Sequence, residues 1–212
     1  MAAFARRAPA RGRKVKRLGA LHSEPLSGLV RFLQARYEIQ AFVETGTFRG
    51  DATAFAAGIF PQVASIEIDP ACHRAASARL AGTNAQVILG DSRVELPKVM
   101  AGLAGPALVW LDGHAGGGFH GSHDDCPLLE ELAAIADSPF EHFVLIDDAR
   151  AFLAPPPPPF DAHKWPGMAQ VIQTIRRRTP YDCVAITDVL ICTPPAAREY
   201  IRAFCDRVRP RI

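Results

Sequence analysis

The sequence has no long run of apolar residues. Although 49% of its 212 residues are hydrophobic, they occur in short runs, none near the roughly 18 consecutive residues that a membrane-spanning helix needs. An apolar segment is also missing between the N-terminal basic residues and Leu21, which argues against a secretory signal peptide. We therefore expect a cytoplasmic protein with no membrane partner.

Cysteine is scarce, and its spacing excludes two common classes of small protein. The five cysteines are an odd number and lie far apart, unlike the close pairs of a zinc ribbon or a small disulfide scaffold. We expect free thiols in a reducing compartment.

Acidic residues are absent from the start of the chain. Met1 to Ser23 hold seven of the 24 Lys and Arg, which leaves 17 basic residues against 22 acidic ones in the remainder. We predict a basic, disordered arm over residues 1–22 and one domain over residues 23–212, since a chain of this length builds one core. Nucleic-acid binding, an anionic membrane surface and organellar targeting are alternative roles for the arm.

Five short β-rich runs alternate with segments of helix length, which predicts a parallel sheet covered by helices on both faces. An amphipathic helix capped by Ser23 precedes them, and a helix over about Lys164–Arg178 follows the proline run Pro155–Pro159. Two last runs, separated only by Thr187 and Asp188, predict an antiparallel hairpin. The fold class is therefore α/β: a doubly wound, mostly parallel, seven-stranded sheet of Rossmann-like type with a C-terminal hairpin. The seven runs are Ala41–Glu44, Val63–Ile68, Ala85–Leu89, Ala107–Leu111, Phe143–Ile146, Tyr181–Ile186 and Val189–Thr193.

The segment Glu44-Thr45-Gly46-Thr47-Phe48-Arg49-Gly50 follows the first predicted strand. Ligands of open α/β sheets bind beyond the carboxyl ends of strands, where glycines let the backbone approach them. Glu67 ends the second strand about twenty residues later, where an acid binds ribose hydroxyls in adenosine cofactors. Asp91 ends the third strand, where a carboxylate can accept the adenine amino hydrogens, and Ser92 can assist it. Helix capping and solvated charge are the alternatives for these acids.

These motifs resemble the class I S-adenosylmethionine-dependent methyltransferase family over Phe42 to about Thr193. The resemblance implies that Glu44 and the glycines hold the methionine part of S-adenosylmethionine, Glu67 the ribose and Asp91 the adenine. Phe48 departs from the family, because many members have a glycine there. The candidate cofactor-binding residues are Glu44, Gly46, Thr47, Phe48, Gly50, Glu67, Ile68, Asp91, Ser92 and Asp112.

The same segment is similar to that of the metal-dependent macrolide sugar O-methyltransferases. That resemblance implies a magnesium ion held by Asp112 after the fourth strand and by Asp147 and Asp148 after the fifth. Three acids at adjacent strand ends would repel one another unless they were protonated or bridged by a hard cation. The alternative is that Asp147 caps the strand end while Asp148 faces water. The loop after Asp112 differs from the sugar enzymes.

His114 lies two residues past Asp112 and is our candidate general base, with Asp112 beside it in the catalytic pair. A histidine merely hydrogen-bonded at a strand end is the alternative. The glycine-rich segment from His114 to Cys126 is expected to be a lid rather than a zinc site. Trp165 either lines an acceptor pocket or packs in the core.

The resulting hypothesis is transfer of a methyl group from S-adenosylmethionine to an oxygen of a small or sugar-like acceptor, with possible help from Mg²⁺. Two alternatives remain: a nucleic-acid-binding protein whose domain senses the cofactor, and a metal-dependent hydrolase. Nucleic acid is the less favoured partner, because Asp112-Gly-His-Ala stands where base-flipping methyltransferases carry Asn-Pro-Pro-Tyr. The sequence leaves the oligomeric state open.

Overall fold

The computed structural model of the protein describes residues 20–115, 126–154, 156 and 160–208. The arm predicted for residues 1–22 lies almost entirely outside these ranges, so it and the domain boundary stay predictions. The described residues form seven strands: β1 (Ala41–Thr45), β2 (Gln62–Glu67), β3 (Ala85–Leu89), β4 (Ala107–Leu111), β5 (Phe143–Ile146), β6 (Asp182–Ile186) and β7 (Val189–Thr193).

The seven strands form one sheet in the order β3-β2-β1-β4-β5-β7-β6. The first five are parallel, and β7 pairs antiparallel with both β5 and β6. This confirms the predicted fold class. The chain moves outward from β1 through β2 to β3 and then returns to place β4 on the other side of β1. The crevice between the carboxyl ends of β1 and β4 is thus the switch point at which ligands bind in open α/β sheets.

Seven α-helices cover the sheet within the described residues: α1 (Leu26–Tyr37), α2 (Asp51–Ala57), α3 (Pro70–Arg79), α4 (Ser92–Ala101), α5 (Leu128–Asp137), α6 (Met168–Ile175) and α7 (Arg198–Val208). One apolar cluster joins the sheet to α4, α5 and α6, and the other joins it to α1, α2 and α7. Strands β1, β4 and β5 are buried along their whole length, because helices cover both of their faces. That double coverage explains their nearly continuous apolar sequences.

Two predicted helix boundaries were wrong. Helix α1 begins at Leu26, directly after Pro25, and Ser23 is not its cap. The helix predicted from Lys164 is split, because a short 3₁₀ turn over Ala162–Lys164 is followed by Trp165, Pro166 and Gly167 before α6 starts. Proline has no amide hydrogen to continue a helix, and it disfavours helical backbone at the residue before it.

The turn between β6 and β7 is tight, as predicted. Its central residues Thr187 and Asp188 have φ angles of 50° and 77°, the left-handed pair that suits the twist of a two-residue hairpin. The Asp188 carbonyl accepts a hydrogen bond from the Ala149 amide (2.8 Å), and its Oδ1 accepts one from the Arg150 amide (3.0 Å). The hairpin is therefore tied to the segment that follows β5.

No helix among the described residues combines the length and the apolar character needed to cross a membrane.

Candidate functional site

The loops that follow β1 and β4 are in direct backbone contact at the crevice between these strands. Gly46 has φ +84°, and a Cβ built on it would lie 2.2 Å from the carbonyl oxygen of Asp112. The Asp112 amide in turn donates to the Thr45 carbonyl (3.0 Å). Only glycine combines this backbone angle with this approach, so Gly46 joins the loop after β1 to the loop after β4.

Phe48 takes the left-handed conformation that a glycine would adopt there, with φ 48°. Its amide donates to Glu67 Oε2 (2.7 Å), while the Asp69 amide donates to Glu67 Oε1 (2.8 Å). Phe48 therefore adopts the backbone conformation of the glycine that many methyltransferases have at this position. It also connects this glycine loop to the acid at the end of β2.

Glu67 is nearly buried, with 6% of its surface exposed. Each carboxylate oxygen has more than one lone pair, so both can accept a further bond besides the one from the backbone. Ile68 and Leu89, next to this carboxylate at the ends of β2 and β3, are 40% and 49% exposed. The carboxyl ends of β2 and β3 therefore place hydrogen-bond acceptors beside exposed apolar side chains.

Glu44 lies beneath the glycine loop in a buried hydroxyl network. Its Oε2 accepts hydrogen bonds from the hydroxyls of Ser65 (2.6 Å) and Thr53, and Ser65 also contacts the Thr47 hydroxyl (2.5 Å). Burial raises the pKa of Glu44 to about 7, although the Ser65 and Thr53 hydroxyls act against that rise. The sequence pattern did not predict this network, because its members come from β1, β2 and α2.

Asp91 and Ser92 lie at the start of α4, where helix capping was the alternative role for Asp91. The Asp91 side chain accepts from the Arg93 amide (2.9 Å) at the start of α4, and it pairs with the Arg93 guanidinium (2.9 Å). Ser92 is buried. Asp91 is therefore a helix cap in this structure, and its contact with adenine stays a prediction. Asp69 caps α3 through the Ala71 and Cys72 amides.

The acids after β4 and β5 are buried and influence one another. Burial, followed by the charge of Asp147, raises the pKa of Asp112 well above its ordinary value. Burial, with repulsion from Asp148, raises the pKa of Asp147 to about 7, although Asp147 Oδ1 accepts the Asp148 amide (2.9 Å). The charges of these carboxylates therefore act on one another.

Asp148 is held by two basic side chains. Its Oδ2 lies 3.3 Å from His114 Nε2, and its Oδ1 lies 3.5 Å from an Arg150 guanidinium nitrogen. The hydrogen bond from His114 lowers the pKa of Asp148. Burial by itself would lower the pKa of His114, but the Asp148 hydrogen bond and the nearby carboxylates outweigh burial and raise it. His114 and Asp148 form an acid-histidine pair that the sequence had placed in separate roles.

This arrangement gives no support to a three-carboxylate magnesium site. Asp148 has a left-handed backbone (φ 50°) and is engaged by His114 and Arg150. Within the described ranges, no three acid, histidine or cysteine side chains are arranged to hold a metal ion. The magnesium ligand set Asp112, Asp147 and Asp148 therefore gains no support, and the prediction stays untested.

An aromatic cluster surrounds His114. The imidazole lies edge-on to Trp165 and Phe152, with ring centroids 5.4 Å and 6.1 Å apart, and Trp165 also packs against Phe160. Trp165 is buried, and its indole Nε1 has no hydrogen-bond partner among the described residues. Core packing accounts for most of its surface.

One buried acid of this region was missed by the sequence analysis. Glu131 of α5 is 1% exposed, and within the described residues its Oε1 and Thr45 Oγ1 make no hydrogen bond of ordinary geometry. A Cβ on Gly113 would lie 3.1 Å from each of these atoms. Burial raises the pKa of Glu131, and the Ser92 and Thr45 hydroxyls offset that rise in part. Its position on the same helix face as Leu128, Leu132 and Ile135 was the sequence feature that could have predicted its burial.

The other histidines that the structure describes take different positions in the fold. His120 and His123, with most of the proposed lid, lie outside the described residues. His163 lies in the middle of an exposed 3₁₀ turn, and His73 contacts the Val87 carbonyl (3.2 Å). His142 lies in the loop between α5 and β5 and is fully buried at the opposite edge of the sheet.

Comparison with solved structures identifies the fold. An O-methyltransferase of Streptomyces achromogenes involved in tomaymycin synthesis, solved with S-adenosylmethionine, aligns over 81% of each chain at 19% identity and a TM-score of 0.50. A methyltransferase of Podospora anserina bound to S-adenosylhomocysteine aligns over 81% of this chain and 79% of its own, at 14% identity and a TM-score of 0.52. The chain has the class I methyltransferase fold.

A third neighbour agrees with these two. The O-methyltransferase of Bacillus cereus, in complex with S-adenosylhomocysteine, aligns over 83% of this chain and 84% of its own, at 15% identity and a TM-score of 0.50. No protein-family model and no curated protein sequence matches the chain. The likeness is therefore one of methyltransferase fold, and the chemistry must be argued from the residues at the carboxyl edge.

Proposed function

We propose that the protein is an S-adenosylmethionine-dependent methyltransferase that methylates an oxygen of a small or sugar-like acceptor. The observation that carries the proposal is the position of Glu67. Its carboxylate ends β2 and accepts the Phe48 amide of the glycine loop, beside the β1–β4 crevice of a methyltransferase fold. An adenosine cofactor needs that combination of carboxylate acceptors and close backbone.

The residues at the crevice fit the cofactor. Glu67 would accept the ribose hydroxyls through its remaining lone pairs, and the exposed side chains of Ile68 and Leu89 would cover an apolar face of the ligand. Gly46, Thr47, Phe48 and Gly50 would bring the backbone against the methionine part. When bound, S-adenosylmethionine supplies an electrophilic methyl group on a sulfonium.

The pair His114–Asp148 would handle the acceptor's proton. Asp148 Oδ2 holds the Nε2 side of the ring, which leaves Nδ1 to take the hydroxyl proton as the oxygen gains its methyl group. The imidazolium that forms is stabilised by Asp148, in the way that an acid orients a histidine base. The aromatic rings of Phe152 and Trp165 limit water around the imidazole.

Much of the rate of such a transfer comes from alignment of nucleophile and methyl group rather than from strong acids or bases. Magnesium is given no chemical step, because Asp148 is already bound to His114 and Arg150. If a divalent ion takes part, it must first displace Asp148 from these partners.

The test is isothermal titration of the purified chain with S-adenosylhomocysteine, with and without Mg²⁺. We expect micromolar binding that Glu67→Gln weakens by about 10- to 100-fold, because hydrogen bonds to a charged group contribute about 1.5–3 kcal/mol. Asp69→Asn is the matched control, since Asp69 is an acid two residues away whose side chain only caps α3. Absence of binding to the parent chain in both buffers overturns the proposal and leaves the hydrolase alternative.

The acceptor is sought with S-adenosylmethionine labelled in its methyl group and a panel of monosaccharides, macrolide glycosides and catechols. For any substrate found, His114→Gln is expected to lower kcat by at least about 100-fold while S-adenosylhomocysteine binding stays unchanged. A variant that loses cofactor binding as well would place His114 in the cofactor site instead.

A further inference from the structure

Two of the five cysteines stand opposite each other on neighbouring strands. Cys183 of β6 and Cys192 of β7 are direct partners in the antiparallel register, so their side chains project from the same face of the sheet. Opposed residues of such strands have Cα atoms about 4.5–5.5 Å apart, inside the range of roughly 4.4–6.8 Å that a disulfide spans. Both are free thiols, and each alters the pKa of the other.

The two thiols differ in exposure and acidity. Cys192 is fully buried in the cluster beneath α6, whereas Cys183 lies on the edge strand and is partly exposed. The Cys192 thiol lowers the pKa of Cys183, burial opposes that effect, and the Arg176 guanidinium supports it. Arg176 is fixed there by its hydrogen bond to the Tyr181 carbonyl (2.6 Å). Contact with Cys183, together with burial, raises the pKa of Cys192.

We propose that Cys183 and Cys192 are a reversible oxidation site for hydrogen peroxide, with Cys183 as the attacking thiol and Cys192 as the resolving one. The Cys183 sulfur attacks one peroxide oxygen, the O–O bond breaks, and the hydroxide that leaves takes up a proton to become water. Cys183 is then a sulfenic acid. The Cys192 sulfur attacks it, an S–S bond replaces the S–O bond, and a second water leaves.

The bridge would close the hairpin next to the acids of the candidate site. Strand β7 pairs with β5 through Val144 and Cys192, and β5 leads directly into Asp147. The turn of the same hairpin holds the amides of Ala149 and Arg150 through Asp188. Formation of the bridge depends on the thiols alone, so it can be tested whether or not the protein transfers methyl groups.

The experiment exposes the reduced full chain to hydrogen peroxide, then blocks remaining thiols with N-ethylmaleimide under denaturing conditions and digests with trypsin. Residues 179–198 lie between two arginines and contain both cysteines. We expect this peptide to become unlabelled and lighter by two hydrogen atoms, and dithiothreitol to restore labelling. Cys72 and Cys205 are expected to lose labelling at least about tenfold more slowly, because thiolate character sets the rate.

Two variants assign the roles of the thiols. Cys192→Ser is expected to leave a sulfenic acid on Cys183 that dimedone traps, and Cys183→Ser is expected to leave Cys192 fully labelled. Cys205→Ser, the matched control on α7, should form the bridge like the parent chain. Oxidation of all accessible cysteines at one rate, or stable sulfinic acid on Cys183 without a bridge, overturns the proposal. Cys183→Ser suffices if the buried Cys192→Ser does not fold.

Discussion

The carboxyl ends of the parallel strands form one edge of the sheet, the carboxyl edge, which has two halves. In the half formed by β1 and β2, the buried acids accept hydrogen bonds from nearby donors. In the half formed by β4 and β5, the acids repel one another. Glu44 accepts from two hydroxyls, and Glu67 accepts from two backbone amides. In contrast, Asp147 raises the pKa of Asp112, and Asp148 raises the pKa of Asp147.

This difference matches two tasks of the proposed reaction. A half that binds a cofactor gains from acceptors that are already fixed, because preorganised groups lose little entropy on binding. The half that binds the methyl acceptor must also take up its proton. Acids whose charge is poorly compensated suit this task, because they change protonation near neutral pH.

Gly46→Ala should break the junction between the two halves. We expect it to lower the free energy of unfolding by at least about 3 kcal/mol, because it combines an unfavourable backbone angle with a backbone clash. Gly82→Ala is the matched control: Gly82 has nearly the same φ, +83°, but a Cβ there meets nothing within 4 Å. It should cost about 1–2 kcal/mol, and equal losses in urea unfolding would contradict the assigned contact.

His142, at the opposite edge of the sheet, extends the comparison to a fully partnered buried group. Its Nδ1 accepts the Ala107 amide (3.0 Å), and its Nε2 lies 2.7 Å from the Ser138 hydroxyl. Burial lowers the pKa of His142 to about 4. The unfolded chain therefore takes up the proton first, and stability falls as the pH drops from about 6.5 to about 4, by up to about 1.4 kcal/mol per unit.

His142→Asn tests that pH dependence. The asparagine oxygen can still accept the Ala107 amide, so we expect a stable variant whose urea midpoint changes less between pH 6.5 and 4.5. An unchanged slope would show that other groups cause the loss of stability in acid.

Asp147 should behave in the opposite sense. Its pKa is raised to about 7, so the parent chain loses stability as the pH rises from about 4 through 7. Asp147→Asn keeps an acceptor for the Asp148 amide and removes the repulsion. We expect a gain of about 1–2 kcal/mol at pH 8 and little at pH 5, measured by urea unfolding. Glu67→Gln, in the half rich in donors, should bring no such gain.

Thr187→Asn is expected to have the smallest effect. Thr187 is a β-branched residue with a left-handed backbone, which asparagine adopts more readily. We expect a gain of about 0.5–1 kcal/mol in thermal unfolding, with no change in cofactor binding. A loss of stability would mean that the Thr187 side chain packs better than its backbone angle suggests.

Sequence patterns predicted the strands and their order along the chain. Four short β-rich runs, Ala85–Leu89, Ala107–Leu111, Phe143–Ile146 and Val189–Thr193, match the observed strands at both ends, because apolar side chains in such short runs are buried by pairing in a sheet. The residues after β1, β2, β4 and β5 were expected at one edge, and parallel strands bring them there.

Tertiary structure alone decided the partners of those residues. The pairing of His114 with Asp148, the hydroxyl network around Glu44 and the burial of Glu131 each join elements far apart in the chain. A sequence pattern reports on which face a side chain lies, but not which side chain from another element meets it. That is set by how helices pack on the sheet, and it determines whether an acid at a strand end has a donor or a second acid beside it.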